Sequence, residues 1–541
     1  MLGKKSRITI LTIVTLFFFL SMVLGAYLER DNSLIRITQI VLFTICYGYY
    51  IFFFSKNNST TKYKGRLFQE YKYNKFIFNF LILTSLYFIG LLIFAPGIFT
   101  FDAAMQLAII LNNDPINPAF SVLHTLIILA FYKLGNFLNS DFISGMIVSF
   151  IQLSICSAVI GYTITKMKGL KVWSYFLTIA FFGLWPINLL MPIIHNNTIL
   201  FSIFFLLLSV LIIEINNTEQ KTRRLDYFLI VISIAFCIML RVNFIYALVV
   251  WLIFIIFMRK IFSRKLLLIV FIGTIVGITS NNFLYEITRN TNNVQANNSS
   301  GSSSINIFTF LPRQGIASVY NSNNVLNTYE KEVFSTFPDN CLLRYNPRFI
   351  DPLFGCVPPG GLRYFFDFSV ELLMNHPRTF MRGVLLQIQP LFDPLFALPD
   401  NNYTRSMLEL NSGWEGINES DLYILTGRND VDIENHSLLK PIGSILYNFI
   451  EKDYIDQIPF ISILNSPAFS LWILIAALVT TLLRGNNSVL PISILLMLYY
   501  GTIVVGPVAI FRYTWFLFLL VPYLVYYSSQ NEISKTRGER I

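Results

Sequence analysis

The chain has 541 residues, of which 55% are hydrophobic, 16% aromatic and only 13% charged. A soluble chain of this length carries about twice that share of charge, so a soluble fold is excluded and a polytopic membrane protein is indicated. The net charge of +10 comes from Lys and Arg in short segments flanking apolar runs, which is an orientation signal and not a nucleic-acid-binding face.

Lys4, Lys5 and Arg7 precede an apolar run over 8–28, and 35–54 forms a second. Both are long enough to span a bilayer. Glu29-Arg30-Asp31 joins them without a small-residue cleavage site, which predicts an uncleaved helical hairpin and not a signal peptide. The strongest basic cluster follows, with Lys56, Lys62, Lys64, Arg66, Lys72 and Lys75, and it places this loop and the N-terminus in the cytoplasm. A third span, 76–95, stops at Pro96-Gly97 and delivers Asp102 to the opposite face, just ahead of Ala103-Ala104. A carboxylate there suits either a general base at the bilayer surface or the N-cap of the helix that follows. The stretch 105–139 is amphipathic and broken by AsnAsnAspProIleAsnPro at 112–118, predicting two surface helices, the second carrying His124.

Spans over 143–165 and 172–190 flank Lys166, Lys168 and Lys171. The fifth ends in a stretch holding His195-Asn196-Asn197, which reads either as a turn with a helix cap or as part of a site. A sixth span, 199–215, returns to Lys221, Arg223 and Arg224; the seventh, 227–240, ends at Arg241-Val242-Asn243; the eighth covers 244–258 and precedes a basic run at 259–265. The ninth, 266–280, opens into the polar region 281–467, whose Asn/Ser/Gly tract at 292–304 predicts a linker. Within that region 365–398 is apolar but carries Asp367, Glu371, Arg378 and Arg382, which predicts a helix lying at the interface. Spans over 468–483, 489–505 and 515–527 follow, with Arg484 and the basic tail Lys535, Arg537 and Arg540 inside.

The expected fold is therefore an all-α polytopic membrane protein of about 12 transmembrane helices, with interfacial helices and one large outer, periplasmic α-rich domain. Four units are predicted: the hairpin and basic loop 1–75, a transmembrane core 76–280 with the acid-bearing loop 96–142, the outer domain 281–467, and the closing spans with a cytoplasmic tail, 468–541. Outer loops between adjacent spans are nearly free of Lys and Arg, which singles out Arg241 and Arg512. One arginine at a lipid boundary often snorkels to the headgroups, whereas two on the carboxylate's side, each beside a Tyr or Asn donor, suit a phosphate. All four histidines, His124, His195, His376 and His436, fall on that side too. No nucleotide-binding loop and no Cys/His metal spacing occurs, so no cofactor and no metal are expected. Cys46, Cys156 and Cys237 lie in apolar runs, while Cys341 and Cys356 close a short loop in the outer, oxidising compartment and are expected to form a disulfide.

These parts suit transfer of a sugar from a polyprenyl-phosphate carrier to a hydroxyl acceptor, the carboxylate deprotonating the acceptor and arginine neutralising the departing phosphate. ProGlyIlePheThrPheAspAlaAlaMetGln at 96–106, the surface helices after it and Phe511-Arg512-Tyr513 resemble the GT-C superfamily of membrane glycosyltransferases that use lipid-linked sugars. Within it the chain looks most like phage- or island-encoded bacterial O-antigen glucosyltransferases. The resemblance implies that Asp102 is the catalytic base and that Arg512 helps bind the carrier phosphate. Arg241, Tyr513, His195, Asn196 and His124 are the further candidates for donor-phosphate and substrate binding.

Expected partners are an undecaprenyl-phosphate hexose donor, a polysaccharide or glycolipid acceptor such as lipopolysaccharide, membrane lipids, a companion flippase and a lipid-sugar synthase, with no nucleic acid. The expected location is the bacterial inner membrane, with the site facing the periplasm. Two departures from the superfamily pattern stand out: the nearest second acid, Asp114, sits in a Pro-rich turn, and the acid-bearing loop follows the third span, making the initial hairpin an addition. An O-antigen polymerase is a rival reading, with Arg344, Arg348 and Arg363 in the long region; a transporter or flippase is another, opposed by the scarcity of charged or Gly/Pro-broken positions within spans.

Asp102, His195, Arg241 and Arg512 should share the outer side. A cysteine placed at each position is expected to react with an impermeant thiol reagent added from outside; reaction at 102 only after the cytoplasmic face is opened would remove the basis for an outward site.

Overall fold

A computed structural model describes residues 4–30, 33–55, 72–112, 120–217, 224–257, 264–291, 309–322, 325–338, 341–344, 356, 361–396, 438–439, 441–442, 445, 462–484, 488–506 and 511–529. The basic cluster before Lys72, the linker 292–304, Asp114, Arg348 and His436 lie outside them. The described chain is helical nearly throughout, because backbone N–H and C=O groups in lipid must be satisfied within the segment that carries them.

The helices in order are α1 (Lys4–Glu29), α2 (Leu34–Ser55), α3 (Lys72–Ile93), α4 (Phe101–Asn112), α5 (Val122–Leu138), α6 (Asp141–Lys166), α7 (Val172–Gly183), α8 (Pro186–Leu190), α9 (Asn197–Asn217), α10 (Arg224–Leu240), α11 (Phe244–Phe257) and α12 (Arg264–Thr291). After the linker come α13 (Phe310–Tyr320), α14 (Thr328–Ser335), α15 (Gly361–Asn375), α16 (Pro377–Phe392), α17 (Pro467–Leu483), α18 (Leu490–Val504) and α19 (Phe511–Ser529). Strands β1 (Ile98–Phe99) and β2 (Ile194–His195) form a short parallel pair. Among the described residues α1, α2, α3, α6, α9 and α12 are long and apolar enough to cross a membrane, and α7 with α8 makes one more if the bent pair counts as a span. The protein is thus a helical membrane protein, and every predicted apolar run falls on a helix or on that bent pair.

Three stretches differ from the sequence expectation. The run 172–190 is not one helix: α7 stops at Gly183 and α8 leaves at 59°, because Pro186 brings no N–H and holds Trp185 in an extended conformation. The run expected to end at Ser280 continues as α12 to Thr291, since Phe283, Leu284 and Ile287 keep the apolar spacing and no Gly or Pro intervenes. Finally, 365–398 is not a single interfacial helix but α15 and α16, and α16 inclines into the bundle. Its far end is held there: Gln387 Nε2 donates to Gly506 O (3.1 Å), Tyr500 Oη to Leu391 O (2.7 Å) and Trp472 Nε1 to Phe392 O (3.0 Å).

The most enclosed span is α9, 83% of whose apolar window is buried, against half or less for the others. Packing without a hydrophobic driving force depends on close contact, and α9 supplies it with rings. Phe201 and Phe205 pack on Phe244 of α11, Tyr499 of α18 and Phe516 of α19 at centroid distances of 4.7–6.2 Å. A second core, of Phe310, Val319, Val333, Phe334, Phe365, Phe368 and Phe380, makes α13–α15 and the first half of α16 a small helical domain. Cys341 and Cys356, both part of this core, are disulfide-bonded, with Cα atoms 5.8 Å apart.

The N-terminal hairpin docks on this arrangement through a buried ion pair. Arg36 Nη2 meets Asp393 Oδ2 at 2.6 Å with the side chains 5% and 0% exposed, and Arg36 also donates to Leu395 O. Asp393 further accepts from Gln389 Nε2 (3.2 Å) and Leu395 N (3.0 Å). Gly25 leaves the room for this, since a Cβ there would lie 1.8 Å from Asp393 Oδ2. Removing one partner strands a buried charge, so Arg36→Met should lower unfolding stability in detergent by about 3–5 kcal/mol, whereas the double change Arg36→Met with Asp393→Leu should recover most of it. Equal losses in the single and double variants would contradict a net cost of stranding Asp393.

Candidate functional site

The site begins where α3 ends. After Phe94, the chain turns through Pro96-Gly97, with Gly97 N donating to Phe94 O at 2.7 Å. Gly97 has φ +129°, a region essentially reserved for glycine. A Cβ there would also fall 2.2 Å from Ser149 Oγ and 3.0 Å from His195 Nε2. The next residues pair with the segment before α9, Ile98 with Ile194 and Phe99 with His195. Thr100 then stands before α4: its Oγ1 accepts from Ala103 N (3.4 Å) and donates to His195 O (3.0 Å).

That arrangement gives the capping role considered for Asp102 to Thr100. Thr100 holds the capping position, and Asp102, inside the first turn of α4, points its carboxylate elsewhere. Asp102 Oδ2 accepts from Asn196 Nδ2 at 3.0 Å and from Arg512 Nη2 at 3.1 Å. The Asp102 side chain is 33% exposed and Arg512 only 5%, so the acid is the member of the pair that a ligand can reach. Asn196 cannot turn over, because its Oδ1 is held by Thr198 N (3.0 Å) and Thr198 Oγ1 (2.7 Å).

Arg241, following α10, lies with its guanidinium 4.4 Å from the centre of the Tyr513 ring, and that of Arg512 lies 5.1 Å from the same ring. Arg512 Nη2 is 3.4 Å from Tyr513 Oη. Aromatic faces favour such cations, and Tyr513 thereby gathers both arginines at one place. Among the described residues no carboxylate pairs with Arg241. Among the described residues the site thus holds two guanidinium groups and one carboxylate.

The two histidines predicted here are present but enclosed. His195 Nε2 is 2.7 Å from Ser149 Oγ, whose proton is given to Pro96 O at 2.7 Å; Nε2 is therefore the protonated nitrogen. Its ring stacks on Phe99, with centroids 4.4 Å apart. His124 Nδ1 donates to Gln106 Oε1 at 2.6 Å, and its N–H is capped by Ser121, which also donates to Met239 O. Burial lowers the His124 pKa to about 4 against the opposing pull of Asp102, and lowers that of His195 to about 3. Both are neutral at physiological pH and buried, and the second nitrogen of each ring, His124 Nε2 and His195 Nδ1, has no hydrogen-bond partner among the described residues. His376 belongs to the small helical domain, where its Nε2 lies 3.2 Å from Glu330 Oε2.

All seven expected residues, Asp102, His124, His195, Asn196, Arg241, Arg512 and Tyr513, thus gather at one end of the bundle. Thr100, Gln106, Ser121, Ser149, Gln152 and Thr198 complete the network and were not expected; the one sequence signal for the α6 pair is a polar Ser and Gln three residues apart in an apolar span. Among the described residues, no group of His, Cys, Asp and Glu could hold a metal. Compared with known protein families, curated proteins and solved structures, the chain matches none.

The Pro-Gly turn offers a test of how closely these loops pack. Gly97→Ala should cost about 1–3 kcal/mol in backbone strain plus the displaced Ser149 contact, whereas Gly169→Ala, at φ +72° with nothing within 4 Å, pays strain alone. Unfolding of the two purified variants in detergent should therefore show the larger loss at 97; equal losses would mean that the turn does not press on Ser149 and His195.

Proposed function

We propose that the protein transfers a hexose, glucose in the first instance, from undecaprenyl phosphate to a surface polysaccharide such as lipopolysaccharide O-antigen. The observation that carries this reading is the ligand-accessible carboxylate of Asp102, held by one oxygen beside two arginines, the only carboxylate paired with either among the described residues. A base next to an anion site is the pairing that glycosyl transfer from a phosphate carrier needs. The acceptor hydroxyl gives its proton to Asp102 as its oxygen bonds to C1 of the sugar; the C1–O bond to phosphate breaks, and the lipid phosphate leaves with the electron pair. Arg241, Arg512 and the Tyr513 hydroxyl lie where that phosphate charge would be met.

In this reading about twelve spans cross the bacterial inner membrane with both termini in the cytoplasm, as the basic clusters require, and the site faces the periplasm. The small helical domain would stand on the same side, and a flippase and a lipid-sugar synthase would supply the donor. The polymerase alternative gains nothing from Arg363, which is 96% exposed and 3.9 Å from Asp367 one turn along α15. A transporter would carry charges at mid-span, whereas the Lys166–Glu214 pair, 3.7 Å apart, lies at the helix ends of α6 and α9.

Asp102→Asn tests the assignment well, because an amide oxygen can still accept from Asn196 and Arg512 while it cannot take a proton. Transfer from polyprenyl-phosphate glucose in membranes, followed by mass analysis of surface glycans, should fall by roughly a hundredfold or more. Arg512→Lys keeps the charge but loses the forked geometry, and should weaken donor use less. Unchanged glycan modification by a well-expressed Asp102→Asn protein would sink the glycosyltransferase reading.

A further inference from the structure

Helix α6 carries Gly145, Ser149 and Gln152 on one side, at spacings of four and three residues that bring them to a common face. Each meets one or both of the two irregular segments that build the site. Gly145 lies under the acid-bearing turn, where a Cβ would come within 2.7 Å of Pro96 Cβ. Ser149, fully buried, donates to Pro96 O and accepts from His195 Nε2, both at 2.7 Å. Gln152, also buried, donates through Nε2 to Pro192 O at 3.0 Å and to Ile194 O at 2.8 Å.

The need for these side chains follows from the backbone. Between Phe94 and Phe101, and between Met191 and Asn197, the chain runs through turns, a single 3₁₀ turn and a two-residue strand pair, which leave carbonyls without regular helical partners. Beside a bilayer such groups must be satisfied by protein. Ser149 and Gln152 supply three of the donors, and Ser149 joins the two segments through one hydroxyl. Neither residue touches Asp102, Arg241, Arg512 or Tyr513 in any described contact.

We infer that Ser149 and Gln152 are positioning residues, fixing the spacing between the Asp102 turn and the Asn196 segment so that Asn196 and Arg512 both hold Asp102 Oδ2 and Oδ1 remains the oxygen offered to the acceptor. The functional part rests on the reading of Asp102 as the base. Its signature is a split in the kinetics: the phosphate side of the site comes from α10 and α19, which this α6 face does not support, so displacement of the acid changes the chemical step and leaves donor binding alone.

The test has two arms, both in the full chain in membranes and both normalised to folded protein. With polyprenyl-phosphate glucose as donor, Ser149→Ala and Gln152→Met should lower kcat by about ten- to a hundredfold with the donor KM within about twofold of wild type, and Ser149→Thr, which keeps the hydroxyl, should restore much of the loss. In the second arm, which needs no turnover, an impermeant maleimide should label Asp102→Cys several times faster when Ser149→Ala is added, because the turn is no longer held. Wild-type kcat in Ser149→Ala and Gln152→Met, or a KM that rises as much as kcat falls, overturns the inference while a dead Asp102→Asn leaves the base assignment standing. If no variant, Asp102→Asn included, alters transfer, the base assignment fails, and the labelling rate alone decides: an unchanged rate overturns the positioning role too.

Discussion

The contact on which the site depends is the ion pair between Asp102 and Arg512, two residues 410 positions apart in the chain. It closes the first acid-bearing turn onto the last helix, and it does so through one carboxylate oxygen that Asn196 shares. A half-open pair of this kind adds little net stability, since what the charges gain together is offset by what they lose in hydration. Its effect is geometric. With Oδ2 held by two donors from distant parts of the chain, the carboxylate plane is set by three segments at once, the first turn of α4, the residue between β2 and α9, and the start of α19.

Such a pair requires irregular backbone at the end of a membrane bundle, and irregular backbone beside lipid survives only where protein satisfies it. The structure meets that condition by pairing its two irregular segments with each other through β1 and β2 and by backing them with the polar face of α6. Gly97 belongs to the same solution, because any side chain there would occupy the space of the Ser149 hydroxyl. The Pro186 break between α7 and α8 belongs to it as well. The 59° bend there sets the direction of the chain that runs into the segment carrying His195 and Asn196.

Much of this was legible from composition. Apolar runs bounded by basic clusters marked where helices would form, because lipid permits little else. Asp102, Arg241 and Arg512 drew attention because charged side chains at span ends are expensive and few. What escaped the sequence were contacts between distant positions. Arg36 sat unremarked within the second apolar run; beside the nearby Glu29, 3.7 Å away, its charge is matched more closely by Asp393 more than three hundred residues on, and nothing local announces that second match. Ser149 and Gln152 were hidden for a similar reason: small polar residues are common in spans, where Ser often bonds its own helix, as Ser157 does to Leu153 O. The burial of His124 and His195 was equally invisible, because a histidine near a loop reads the same whether it faces a ligand or braces the loop.

The two arginines, which look equivalent in the sequence, differ in the structure, and the difference bears on how a phosphate would be met. Arg512 is nearly buried and has one Nη2 on Asp102, so its charge is partly answered before any ligand arrives. Arg241 is bound to the site through the Tyr513 ring, with no described carboxylate against it. The positive charge that the site can still offer therefore resides mainly at Arg241, while Arg512 spans the acid and the anion. In the proposed reaction these are separate tasks: one guanidinium attracts the carrier phosphate, and the other sets the distance between that phosphate and the base. A guanidinium suits the second task because its rigid fork holds donors in fixed directions, one of them on Asp102. The ring of Tyr513 holds the two arginines close without adding negative charge, which is why an aromatic residue and not a second acid serves at that position.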